Sequence, residues 1–130
     1  MKMTLNDVLV LNDVVKSLID NKTLSINMVL KFRLLGIAKS LEQHVSNYNI
    51  IRDSKITEYG TEAIDAEGNK LGVYEIKTEN TDAVEKFKRD LGEFLLTEVD
   101  VNIQKLKVQE VFDAGVPADY LVHLYGIIEE

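Results

Sequence analysis

Asp65, Glu67 and Asn69 stand at alternate positions in IDAEGNKLGVYEIK (Ile64 to Lys77), a spacing that oxygen ligands of a cation often use. An EF-hand loop opening at Asp65 needs glycine at its sixth position and a bidentate glutamate at its twelfth. Those positions hold Lys70 and Ile76, and Lys70 would set a second cation beside the ion. The stretch reads instead as a turn between two strands. Gly68 or Asn69 can take a positive φ there, and the carboxylates face water.

The remaining chemistry-bearing residues do not assemble into a reaction centre. His44 and His123 are far apart, and neither belongs to an HExxH pair. His44 is expected beside an apolar helical stripe, as a surface or interface histidine, and His123 on a half-exposed helix. No GxSxG elbow is present. The seven glycines are dispersed and form no phosphate-binding loop. A chain with no cysteine has no disulfide, thiolate metal site or thiol nucleophile. The carboxylate pairs Glu58/Glu62 and Glu129/Glu130 read as solvated helix surface. The five tyrosines lack the interleaved cations that stacking on a nucleic acid requires. The reading therefore assigns no catalytic, cofactor-binding or metal residue, calls for no cofactor, and expects a protein that is not an enzyme.

Charge is spread unevenly along the chain. Residues 1–57 carry 8 Lys+Arg against 5 Asp+Glu, and residues 58–130 carry 7 against 17, within a net charge of −7. Such asymmetry fits an intramolecular match, a head-to-tail contact, or an acidic face for a basic partner. Without a Lys/Arg stripe to neutralise phosphates, direct nucleic-acid binding is not expected. No apolar run approaches the roughly 20 residues of a membrane span. Asp7 and Asp13 interrupt the apolar stretch of MKMTLNDVLVLNDVV, which is wrong for a signal peptide, so a cytoplasmic setting is the default expectation.

The elements that would position any surface are clearer. Thr4 caps a first helix over about Leu5 to Asp20, with Val8, Leu11, Val14, Val15 and Leu18 at helical spacing. Ser25 can cap a second, whose stripe runs through Leu30, Leu34, Ile37, Ala38, Leu41, Val45 and Tyr48. Nothing stops it before Gly60, so it would be 35 residues long, or about 52 Å. A compact chain of this size measures roughly 36 Å across. The helix must therefore break, most readily around Ser46 to Asn49, or project onto another subunit.

Met28, Phe32 and Leu35 form a second apolar row on that helix. Two rows imply burial on two sides. Either the first and third helices cover one row each, or the second row is a subunit interface, in which case Met28, Phe32, Leu35 and Tyr48 are its candidate residues.

Beyond Gly60 a strand at about Glu62 to Asp65 and another through Leu71, Val73, Tyr74 and Ile76 flank the turn, with a shift at Gly72. A third helix begins near Asp82 and buries Val84, Phe87, Leu91, Phe94 and Leu95. Val99, Val101 and Ile103 mark a half-buried strand expected to pair with Val73–Lys77. EVFDAGV reads as a loop or single turn, and Pro117 opens a last helix through Leu121, Leu124 and Ile128. The expected fold is α+β and mainly helical, with a long helical hairpin, a small antiparallel sheet and two further helices. It is read as a single domain over 1–130, the helical hairpin occupying 1–60 and the remaining elements 61–130.

The opening helix LNDVLVLNDVVKSLI, the long helix ending at Tyr59-Gly60, the acidic turn DAEGN and the segment GEFLLTEVDVNI together resemble small tailed-phage proteins of unknown function. The resemblance covers most of the chain, and Gly92 stands where such proteins often carry a polar helix former. It implies a phage origin, a place in the infected cell's cytoplasm or in the virion, and a non-enzymatic role in assembly or in contact with a host protein; the overlong second helix and its doubled apolar face add the expectation of self-association. A second reading is an acidic-surface inhibitor of a host defence or nucleic-acid enzyme; a third is a small enzyme of unknown type.

Overall fold

The computed structural model describes residues 1–129, and its architecture is α+β, mainly helical. In chain order the elements are β1 (Lys2–Thr4), α1 (Leu5–Asp20), α2 (Met28–Tyr59), β2 (Thr61–Ile64), β3 (Lys70–Glu75), α3 (Thr81–Leu95) and β4 (Glu98–Asp100). β5 (Leu106–Lys107), α4 (Val108–Asp113), α5 (Ala118–Leu124), a 3-10 turn (Tyr125–Ile127) and β6 (Ile128–Glu129) follow. The chain divides into two compact units, one made of Met1–Val45 with the chain from Glu98 onward, the other of Ser46–Thr97.

In the first unit, α1 begins where the Thr4 hydroxyl accepts a hydrogen bond from the Asp7 amide at 3.2 Å. That cap satisfies one of the amides left without a partner in a first helical turn. Leu5, Val8, Leu11, Val14, Val15 and Leu18 are buried along its inner face. From α2, Leu30, Leu34, Ile37 and Leu41 are buried in turn. Val101, Leu106, Val111, Leu124 and Ile127 complete this core. The backbone of α5 approaches α1 closely.

The start of α2 falls later than Ser25. Asn27 holds it, its side-chain oxygen accepting from the Leu30 amide at 2.8 Å. The helix does not break at Ser46 to Asn49. It runs unbroken through Tyr59, with neither glycine nor proline inside its second half to interrupt the ladder. Gly60 stops it where a Cβ would lie 2.4 Å from the Ile56 carbonyl oxygen and 2.5 Å from that of Glu75.

The strand Glu98–Asp100 does not pair with β3. It lies antiparallel to β1, with Met3 opposite Val99, while β3 is taken by β2. Three residues before the first helix carry too little pattern to be read as a strand, so alternation alone does not identify β1 as the partner. The last helix also ends early. Pro117 sits at the N-cap, the helix stops at Leu124, and Ile128 pairs in parallel with Leu106.

In the second unit β2 and β3 form a ribbon whose register shifts between Glu62 and Ile64, opposite Gly72 at φ 74. Asn80 caps α3 by accepting from the Ala83 amide. The α3 stripe of Val84, Phe87, Leu91, Phe94 and Leu95 is half-buried, not buried, and Ala83 is its enclosed residue.

Candidate interaction surface

The row on α2 is bare. Met28 is 88% exposed, Phe32 77% and Leu35 49%, and Val29 extends the same surface. These residues alternate along the helix with the buried Leu30, Leu34 and Ile37, so one helix presents an apolar face to the core and another to water. Beside Phe32 lies a shallow groove of about 240 Å3 lined by Arg33, Gly36, Ile37 and Ser40. A Cβ on Gly36 would meet nothing within 4 Å, so the floor of the surface there is open.

The charge of this segment is one-sided. From Asn21 to Leu41 the chain has Lys22, Lys31, Arg33 and Lys39 and no carboxylate. Arg33 is ion-paired with Glu110 of α4. Lys31 and Lys39 are exposed and make no ion pair among the described residues.

A second apolar surface of the same unit escaped the sequence reading. Phe112 (69% exposed), Val122 and Tyr125 (84%) are bare on α4, α5 and the turn after it. Val108, Phe112, Leu121, Tyr125 and Ile128 line a groove of about 520 Å3, with Lys105 the one cation in its wall. From Val108 to the end of the sequence there are five carboxylates and no Lys or Arg.

Tyr48, the fourth candidate residue, belongs to the other unit. Its ring stacks on Phe94 with centroids 6.3 Å apart, and the Arg52 guanidinium lies 5.8 Å from its face. No family model, curated protein or solved structure matches this chain.

Several polar groups elsewhere hold the fold together. The Asp65 carboxylate accepts from the amides of Glu67 at 3.0 Å and Asn69 at 2.8 Å, while Gly68 takes φ 84. The Asn69 amide, above all, holds the Asp65 carboxyl below its ordinary value. The stretch that spaces its oxygens like a calcium loop is thus the turn between β2 and β3. Tyr59, at the end of α2, donates its hydroxyl proton to Asp90 of α3, and the Lys55 ammonium lies 3.5 Å from the same carboxylate. On the same helix, Lys86 bonds Asp82 at 3.1 Å. His44 donates from Nε2 to the Asp100 carbonyl at 3.0 Å, tying α2 to β4.

Proposed function

We propose that the chain is a phage-encoded, non-enzymatic protein that acts by associating with copies of itself, as a virion or assembly component or as an adaptor in the infected cell. The observation that carries this reading is the bare row Met28, Phe32, Leu35 on a helix whose other face already supplies the core. Full burial of one such side chain is worth about 1.5–3 kcal/mol, so a partner that covers the row gains several kcal/mol. Single exposed apolar residues are ordinary; a contiguous row beside a groove marks a contact surface. The phage origin rests on the resemblance of the helix order and the DAEGN turn to small tailed-phage proteins.

Light scattering over a range of concentrations tests the reading. The expected result is a mass that rises above the 14.7 kDa of one chain as concentration increases. A constant single-chain mass at micromolar concentration and above would overturn it.

A further inference from the structure

We infer that the groove beside Phe112 is a small-molecule site that takes a free medium-chain fatty acid, its alkyl chain on the apolar wall and its carboxylate on Lys105. The inference goes beyond the self-association proposed above and does not depend on it. Every residue lining the groove belongs to the first unit. The wall joins half-buried Val108, Leu121 and Ile128 to the bare rings of Phe112 and Tyr125. Its volume is about 520 Å3. Small-molecule sites span roughly 300–1,000 Å3 and set a few polar groups in an apolar lining. A Cβ on Gly126, also in the wall, would meet nothing within 4 Å, so there is room on that side.

The charge of the wall names the head group. Lys105 is the one charged residue among those lining the groove, and it is exposed. Its side chain makes no hydrogen bond or ion pair among the described residues. The carboxylates of the same segment do not line the groove. Glu110 is ion-paired with Arg33, and Asp113 accepts from the Gln109 side chain at 2.8 Å. Glu129 stands opposite Lys107 in the β5–β6 pairing. One unneutralised cation in an apolar wall matches a ligand with one negative charge and a long apolar body. A polyanion such as a nucleotide would bring charge that this wall does not answer.

Titration calorimetry of the full chain with decanoate, kept below its micellar concentration, tests the site. One decanoate per chain is expected to bind. Along octanoate, decanoate and dodecanoate each added methylene should tighten binding by up to about fourfold. Lys105→Met, at an exposed position, should keep the wild-type circular dichroism spectrum. It should lose roughly two- to fivefold in decanoate affinity and nothing in affinity for decanol. Raising salt should weaken decanoate binding and leave decanol unchanged. Phe112→Ser should weaken both ligands alike.

Decanoate that does not bind, or that binds Lys105→Met as well as wild type, overturns the inference. Equal affinity for wild type and Phe112→Ser places the ligand elsewhere on the chain and overturns it too. A groove filled by a second copy would appear in light scattering as dimers that Phe112→Ser dissolves and decanoate does not, with the same consequence. Protein that sediments with phosphatidylglycerol vesicles yet ignores free decanoate would make the groove a membrane-facing surface and remove the fatty-acid site.

Discussion

Arg33 on α2 is ion-paired with Glu110 on α4, across 77 residues of sequence. Both side chains are only about one-fifth exposed, at 21% and 22%. The pair fixes the helix that carries Phe32 against the helix that carries Phe112, so the two bare surfaces are held on one framework. It also engages one cation of α2 and one carboxylate of α4.

Breaking that pair should cost stability without abolishing the fold. Arg33→Met and Glu110→Gln are each expected to lower unfolding free energy by about 1–2 kcal/mol, between the values for exposed and buried pairs. The double variant should lose less than the sum of the two, read from urea denaturation of the monomer.

The two faces of α2 should respond oppositely to truncation. Leu34→Ala, in the core, is expected to destabilise the monomer by about 2–5 kcal/mol. Phe32→Ala, three-quarters exposed, should change monomer stability by less than about 0.5 kcal/mol. The same Phe32 change should weaken self-association, so denaturation and light scattering separate the two roles.

Two glycines of α2 and its end make a second contrast. Gly60→Ala would drive a Cβ into two backbone carbonyls that have no room to retreat, and should destabilise by about 2 kcal/mol or more. Gly36→Ala meets no atom and adds helix propensity, so a gain of about 0.5–1 kcal/mol is expected. Thermal melts of both variants check the pair.

The Tyr59–Asp90–Lys55 clasp should make the second unit sensitive to pH at both ends. The Tyr59 hydroxyl, first, and Lys55 hold the Asp90 carboxyl below its ordinary value. A lowered carboxyl contributes stability that is present above its unfolded value, about 4, and is lost as pH falls through the folded value. Tyr59 is raised, chiefly by its hydrogen bond to Asp90, and Lys55 is raised, chiefly by Glu58. Their contributions are present below about 10 and are lost as pH rises through the folded values. In Tyr59→Phe the Asp90 titration, followed by carboxyl-carbon NMR, should move up toward about 4. Asp65, held by its own turn, should not move.

The helices were legible because their signals are local. Thr4 and the Val8–Leu18 spacing placed α1 from Leu5 to Asp20, as observed, and Gly60 marked the end of α2. The turn at Glu67-Gly68-Asn69 and the shift at Gly72 were also readable from φ preferences alone. Strand pairing was not. Val99 alternates as a half-buried strand should, but alternation does not say which edge it meets, and its partner is the three-residue β1. The Arg33–Glu110 pair and the Tyr59–Asp90 clasp were equally invisible, since charged residues far apart in sequence carry no mark of who their neighbour is.

What the sequence by itself determined was the second apolar row, Met28, Phe32 and Leu35, since helical periodicity puts those residues on one face once α2 is a helix. Whether that row is core or surface could only be decided in three dimensions. Burial depends on which elements pack against a face, and the core of the first unit is complete with Leu30, Leu34, Ile37 and Leu41 turned inward. The groove beside Phe112 was decided in the same way: Phe112, Leu121 and Tyr125 become one surface only when α4, α5 and the turn after it fold together.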